Sequence, residues 1–263
     1  MTADAHPGVH PQAIVDPGAR LGEGVTVGPW TWIGPDVEIG DHTEVRSHVV
    51  INGPTRIGAR NRIFQFASVG EECQDLKYGG EPTTLVIGDG NIIRESCTLH
   101  RGTVQDRGET RIGSNNLFMA YVHVAHDCVI GSNTILANCA TLAGHVDVDD
   151  HAILGGGTMV HQFCHLGAHA MTAGGSIVLK DVPAFVMAGG QSAGAHGLNI
   201  EGLKRRGFTK SALHELRRAY RIVYREGLTL QQAIERLEQE FEDSDEVALF
   251  ASTLRRAERG IVR

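Results

Sequence analysis

Aromatic residues make up only 5% of the 263-residue chain, while glycines number 33. A core of large interlocking side chains is therefore excluded, and a repetitive architecture built from small residues is favoured. A long apolar run is also missing, so no helix is expected to span a membrane. A basic excess is absent too. The net charge of -7 argues against nucleic acid as a partner, because phosphate backbones demand a positive surface. The five cysteines show no CxxC spacing, which points to reduced thiols in a cytoplasmic protein rather than a disulfide frame or zinc knuckle. MTADAHPGVHPQAIVDPGARLG, at the start, has neither a basic n-region nor an apolar stretch, so no secretory signal is expected. The length fits one large domain, or one with a small appendage.

What is present is a beat of six. From Val15 the series runs Val15, Leu21, Val27, Ile33, Ile39, Val45, Ile51, Ile57, Ile63, Val69, all aliphatic, and glycine often follows directly. Two residues before each aliphatic the slot is mostly small or β-branched, as at Ala13, Val25, Thr31 and Val49. The beat returns at Ile87, Ile93 and Leu99, shifts by one, and resumes from Ile112 and Phe118 through Val124, Ile130 and Leu142 to Leu166. This is neither the 3.6 period of a helix nor plain strand alternation. It is a hexapeptide repeat, the mark of an all-β solenoid.

Each hexad makes one short strand and a turn, with the aliphatic and the small residue pointing inward. Three hexads close a triangular coil, and coils stack at about 4.8 Å, so roughly nine coils give a prism about 43 Å long. Glycine after the aliphatic suits a tight corner. Two segments lack the beat and read as loops, EECQDLKYGGEPTTLV at 71–86 and HRGTVQDRGETR at 100–111. The repeat fades after Val178, so the β domain is assigned to 1–190 and a linker with a helical subdomain to 191–263. In the latter, Leu213, Leu216, Tyr220 and Val223 form one helical face, Thr229 and Gln232 make a capping box, and DEVALFASTLRRA reads as a third helix.

The repeat also says where the histidines point. His123, His126, His145, His151, His161, His165 and His169 all miss the inward slots, whereas Cys97, Cys128 and Cys164 occupy the small inward slot as packing residues. His42, His48, His151 and His169 are read as a solvated face. His126 differs through its vertical neighbours: one coil on lies Gly144, with His145 beside it, and Gln162 lies a further coil above. A base next to a bare backbone amide is the pair that acyl transfer needs, one to take a proton and one to stabilise the oxyanion. Asp127 adjoins His126 and could fix its tautomer, although consecutive strand side chains usually diverge. A metal is the competing use of imidazoles, yet His161, His165 and His169 fall at different slots, so spacing alone does not converge them.

HVAHDC, TLAGH, VHQFC, NIEGLKRRGF, QDLKYGGEPT and LHRGT together resemble the UDP-N-acetylglucosamine O-acyltransferases, which act first in lipid A biosynthesis. The likeness runs from VDPGARLG to the terminal RGIVR. The N-acyltransferases of that pathway carry an additional domain before their hexads, for which a beat starting by Val15 leaves no room. The resemblance implies a left-handed parallel β-helix, against the usual right-handed crossover rule, with a small C-terminal α-helical subdomain. It implies transfer of a 3-hydroxyacyl group from acyl carrier protein to the 3-hydroxyl of UDP-N-acetylglucosamine, or to an amine in a 3-amino analogue. His126 matches the general base, Asp127 its supporting acid and Gly144 the oxyanion amide. Gln74, Asp75 and Lys77 match residues that hold the sugar; His100, His123, His145, His161 and Gln162 match the groove. Asn199, Glu201, Arg205 and Arg206 match contacts to the nucleotide and its diphosphate. Gly174 falls where residue size sets acyl length. GQSAGAHGLN, Ser192 included, departs from commoner forms of its loop.

The same resemblance implies a homotrimer with each site between two prisms, in keeping with the lack of any concavity on a flat face. It implies no cofactor and no metal, the carrier's phosphopantetheine thioester being a substrate. Basic residues Lys204, Arg205, Arg206, Lys210, Arg217, Arg218, Arg221 and Arg225 stand against only Glu201 and Glu215 over 201–225, a solvated helix face or a dock for the acidic carrier. Two other classes stay in view: a hexapeptide-fold zinc enzyme of the carbonic anhydrase type, and a non-catalytic nucleotide-sugar-binding scaffold.

Overall fold

Strands one coil apart hydrogen-bond in parallel, as the period of three hexads requires. In the computed structural model, which describes residues 8–263, they form three sheets of nine, eight and ten strands around a single column. The first sheet runs from Ile14–Val15 to Ile177–Val178, the second from Arg20–Leu21 to His165–Leu166, and the third from Thr26–Val27 to Gly194–Leu198. The chain is a left-handed parallel β-helix with a small helical C-terminal part. The domain expected from residue 1, and the first part of the segment read for a signal, begin outside the described residues.

Both inward slots are filled as the beat requires. Ile33, Ile51, Val69, Leu99, Val124 and Leu142 are fully buried, and so are Val25, Val49, Val122 and Cys128, each two residues ahead of a beat position. Glycine after the aliphatic serves a different purpose from the one expected. None of Gly22, Gly28, Gly40 and Gly58 has a positive φ, but a Cβ on Gly40 would stand 2.6 Å from the Gly58 carbonyl carbon of the next coil. These glycines let coils approach. The left-handed residue comes two positions later and is usually not glycine, as at Trp30, His48, Asp127 and His145.

The two loops are shorter than the missing beat suggested. Glu71 ends one strand, Thr84–Ile87 and Glu109–Ile112 form others, and these last two pair in register from Thr84↔Glu109 to Ile87↔Ile112. Leu85 and Thr110 take the inward slot two residues before Ile87 and Ile112, which is why the strands start early. The loops proper are 72–83 and 101–108. Both leave the first sheet and re-enter the second, so they replace the same corner of successive coils.

A buried asparagine ladder holds the register where the coils lengthen. The Asn91 backbone donates to Asn61 Oδ1 across 30 residues, the Asn116 backbone to Asn91 Oδ1 across 25, and the Thr134 backbone to Asn116 Oδ1 across the ordinary 18. The amides also donate to the corner carbonyls of Gly58, Gly88, Gly113 and Gly131. Apolar residues in these slots would leave those carbonyls with fewer partners.

The end of the chain departs most from expectation. The segment read as a linker is a hairpin: Gly194–Leu198 pairs antiparallel with Val186–Gly189, which itself continues the third sheet. A short helix, α1 (Ile200–Arg205), follows, which no helical period announces. Then come α2 (Lys210–Arg225), α3 (Leu230–Glu240) with the expected capping box at Thr229, and α4 (Asp245–Arg256). The tail folds back onto the column, where the Asp181 backbone donates to Gly260 and accepts from Val262.

Candidate active site

His126 immediately precedes a left-handed corner residue, Asp127, with φ 57°. That reversal is why their side chains converge where a plain strand would separate them. His126 Nδ1 lies 2.9 Å from Asp127 Oδ2. The carboxylate can only accept, so Nδ1 is the donor, and in the neutral ring the lone pair is left on Nε2. Asp127 itself is fully buried and accepts from the Thr103 backbone at 3.0 Å and from the Thr103 hydroxyl at 2.6 Å. Burial would push its carboxyl up, but the hydrogen bonds from His126 and Thr103 outweigh it and hold the group below the usual carboxylate range.

One coil above, the chain has Gly144 where His126 stands below. The His145 backbone donates to the His126 carbonyl at 3.0 Å, which fixes the stacking. A Cβ on Gly144 would stand 2.5 Å from His126 Cε1 and 2.7 Å from Nε2, so only glycine leaves room for the ring. The Gly144 N–H meets no acceptor among the described residues. A base and an unpaired amide are thus adjacent, as the coil arithmetic expected.

Other imidazoles surround the pair. His145 lies edge-on to His126 with ring centroids 4.9 Å apart and is stacked on Phe163 at 4.3 Å; its Nδ1 is 2.7 Å from Asp106 Oδ2. Below, His123 Nδ1 bonds the Thr98 hydroxyl at 2.7 Å and meets the His100 ring edge-on at 5.0 Å. Burial first, and then neighbouring imidazoles, drive His100 down to about 4; His123 is lowered by the same two causes. Both rings are thus biased toward the neutral form, and His123 is held by its bond to Thr98. Donor atoms of His126, Asp127 and His145 lie within 4.8 Å of one another, a spacing a divalent ion could use, but each imidazole Nδ1 already faces a carboxylate. His161, His165 and His169 are not brought together: His161 Nδ1 meets the Gln162 carbonyl, while His165 and His169 have separate partners.

The low value at His100 has a consequence for stability. An ordinary histidine near 6.5 binds protons in the unfolded chain that folded His100 refuses until about pH 4. Its contribution is therefore complete above pH 6.5 and is lost as pH falls toward 4, by on the order of 3 kcal/mol. Urea unfolding of His100→Asn should show a flatter loss over that window than the wild-type chain. Parallel curves would contradict the burial argument.

Two readings of outward histidines need correction. His165 points away from the column yet is only 6% exposed, because the tail and Asp181 cover it; its Nε2 bonds Asp149 at 2.8 Å and its backbone donates to Asp181. His151 and His169 are not a solvated face. They stack at 4.8 Å, Phe185 and Phe208 flank His169, and burial takes His169 to about 4. His42 and His48 are exposed, as expected.

The remaining candidate residues divide among the corners. Gln74, Asp75 and Lys77 lie on loop 72–83, at the same corner as His126; Asp75 Oδ1 caps the Lys77 N–H, and Gln74 and Lys77 are exposed. Buried Arg101 ties that loop down, with Nη2 3.3 Å from the Tyr78 hydroxyl and Nη1 bonded to the Gly53 carbonyl. Gln162 and His161 sit exposed one coil above Gly144. Gly174 lies exposed past the third sheet, at another corner, stacked on Gly156. Asn199, Glu201, Arg205 and Arg206 gather at the remaining corner, beside His169. Asn199 is buried and committed to protein, its Oδ1 capping α1 and its Nδ2 bonding the His169 carbonyl. Arg206 Nη1 lies 3.3 Å from His169 Nδ1, and Glu201 pairs with Lys204. Within one chain the Arg205–Arg206 group and the His126 group cannot meet, because the second sheet lies between them. Ser192 sits exposed in the turn of the terminal hairpin.

Thr103 and Asp106 were not anticipated from the sequence, since both lie on an off-beat loop that coil arithmetic cannot place.

Comparison with known proteins bears on the whole chain. Residues 181–262 match the family model described as "Udp N-acetylglucosamine O-acyltransferase; Domain 2", and 18–53 and 109–144 match "Bacterial transferase hexapeptide (six repeats)". The chain is 58% identical over 255 residues to the acyl-[acyl-carrier-protein]--UDP-N-acetylglucosamine O-acyltransferase of Stutzerimonas stutzeri, covering 97% of this chain and 99% of the relative. With the protein of the same name from Thiobacillus denitrificans the identity is 60% at the same coverage. Among solved structures, LpxA from Acinetobacter baumannii superposes with a TM-score of 0.96 at 51% identity, covering 97% of this chain and 100% of that one.

Proposed function

The chain belongs to the acyl-[acyl-carrier-protein]--UDP-N-acetylglucosamine O-acyltransferases, and from that premise we propose how its residues carry out the transfer. The reaction moves a 3-hydroxyacyl group from acyl carrier protein to the 3-hydroxyl of UDP-N-acetylglucosamine, the first step of lipid A biosynthesis. His126 Nε2 takes the proton of the sugar hydroxyl while Asp127 stabilises the resulting imidazolium. The oxygen attacks the thioester carbonyl carbon, and the Gly144 N–H binds the oxyanion of the tetrahedral intermediate. Collapse breaks the carbon–sulfur bond, and the departing thiolate recovers the proton from His126. No acyl-enzyme forms, and neither a metal nor another resident cofactor takes part.

The observation that carries this reading is the contact between a carboxylate-fixed imidazole and a glycine whose amide is unpaired. Incubation with radiolabelled 3-hydroxyacyl carrier protein and UDP-N-acetylglucosamine tests it. Labelled ester product, with acyl-coenzyme A failing as donor, is the expected outcome; binding of the nucleotide sugar without transfer would favour a scaffold instead.

Sugar contacts come from Gln74, Asp75 and Lys77, with His100, His123, His145, His161 and Gln162 lining the groove. Glu201, Arg205 and Arg206, with Asn199 holding α1, reach the nucleotide and diphosphate. Because the arginines sit at a different corner from the base, a complete site draws on two chains, which supports a homotrimer. Gly174 leaves its part of the acyl groove open to a longer chain.

The exposed face of α2 presents Lys210, Arg217, Arg221 and Arg225 with no ion pair among the described residues, whereas Arg218 is paired with Glu240 at 3.2 Å. That face steers the acidic carrier. Arg217→Glu with Arg221→Glu should lower kcat/KM for carrier-bound donor about tenfold at low salt, with binding of UDP-N-acetylglucosamine unaltered. Unchanged kinetics would reject the dock.

A further inference from the structure

Loop 101–108 is held in a tight form. The Gly108 backbone donates to the Thr103 carbonyl at 2.9 Å, and Asp106 N also points to that oxygen at 3.4 Å. Gly102 crosses so close to the neighbouring strand that a Cβ there would stand 2.2 Å from the Glu109 nitrogen. Arg107 adds an outer anchor, with Nη1 2.8 Å from Asp147 Oδ1 and 3.0 Å from the Asp127 carbonyl. Two side chains of this one loop therefore have fixed positions relative to each other, and each ends on a different part of the site. Thr103 closes on Asp127, and through it on His126. Asp106 closes on His145.

We propose that Thr103 and Asp106 are positioning residues for the transfer, the loop acting as a two-point clamp that orients both imidazoles. Asp106 accepts from His145 Nδ1, since its carboxylate has no proton to give. Phe163, parallel to the ring within 7°, fixes the plane of His145, and Asp106 fixes its rotation in that plane. What remains is His145 Nε2, which has no partner among the described residues and is presented as an acceptor. It suits a donor on the acceptor substrate, a ring hydroxyl or the acetamido N–H. Thr103 acts one step further back: its backbone and hydroxyl bonds hold the Asp127 carboxylate in the orientation that faces His126.

The kinetic half of the test rests on the acyl-transfer reading; the spectroscopic half does not. Asp106→Ala and Thr103→Val should each lower kcat/KM for UDP-N-acetylglucosamine about tenfold or more, since small misplacements of catalytic groups are costly. Asp106→Asn and Thr103→Ser, which keep an oxygen in place, should stay within about threefold of wild type. In the full chain labelled with [15N]histidine and without substrate, the His145 signal, assigned by its loss in His145→Gln, should show the Nδ1–H tautomer and move toward the other form in Asp106→Ala. An unmoved His145 signal in Asp106→Ala overturns the proposal. So does equal loss in the conservative and radical variants with lowered Tm, which is the mark of a structural role only. A wild-type chain with no transfer activity would sink the acyl-transfer reading and leave the tautomer measurement to decide the clamp.

Discussion

His126→Ala is expected to lower kcat by about 10²–10⁴ while UDP-N-acetylglucosamine still binds, because proton removal by a placed base contributes in that range. At about 1.4 kcal/mol per tenfold, the loss corresponds to roughly 3–5 kcal/mol of transition-state stabilisation. The alanine leaves Asp127 with its two Thr103 hydrogen bonds, so the carboxylate keeps partners and the corner keeps its shape. The ring is also partly open, at 16% of its side-chain surface, so its removal creates no sealed cavity. A fall in kcat with an intact fold and intact nucleotide-sugar binding is the pattern required. Near-normal turnover in this variant would remove His126 as the base.

Gly144→Ala is expected to cost about a hundredfold or more in kcat from a single added methyl group. The backbone at Gly144 lies outside the left-handed region, so alanine brings no conformational strain of its own. Its Cβ instead lands 2.5 Å from His126 Cε1, and the ring must turn away. Turning breaks the 2.9 Å bond to Asp127 or carries Nε2 off the amide, and either change separates the proton acceptor from the oxyanion donor. Thermal stability should change little, because the ring can swing toward solvent. Wild-type kinetics in Gly144→Ala would mean that the ring does not work from this position.

The sequence made the column legible because a period of six leaves little choice. Val124 and Leu142 occupy the inward slots the beat assigns, and the same count placed Gly144 over His126. It failed where the chain leaves the beat. Nothing periodic locates Thr103 or Asp106, since a loop end is set by local turns and by what the side chains find. The pairing of His126 with Asp127 looked unfavourable on strand rules and became possible through one left-handed residue at the corner. His165 and His169 were misjudged for a different reason. Their outward direction was right, but the tail at Asp181 and the Phe185–Phe208 pair cover them, and those segments lie far along the chain or outside the repeat. The hairpin over Val186–Leu198 was hidden because its glycine-rich second strand has no apolar alternation to announce it.

The corner arrangement also explains why the candidate residues look scattered in a single chain. His126, His145 and both loops rise from the corner between the first and second sheets, whereas Arg206 lies beside His169 between the second and third. A triangular prism has no concave face, so residues at two corners can share a ligand only when a second copy brings one corner to the other.

The most direct test is a structure of the assembled protein with UDP-N-acetylglucosamine bound. The sugar 3-hydroxyl oxygen should lie within hydrogen-bonding reach of His126 Nε2, about 2.6–3.2 Å, with the Gly144 N–H facing the space beside it. A bound sugar whose 3-hydroxyl faces another side chain, with His126 Nε2 turned elsewhere, would contradict the account.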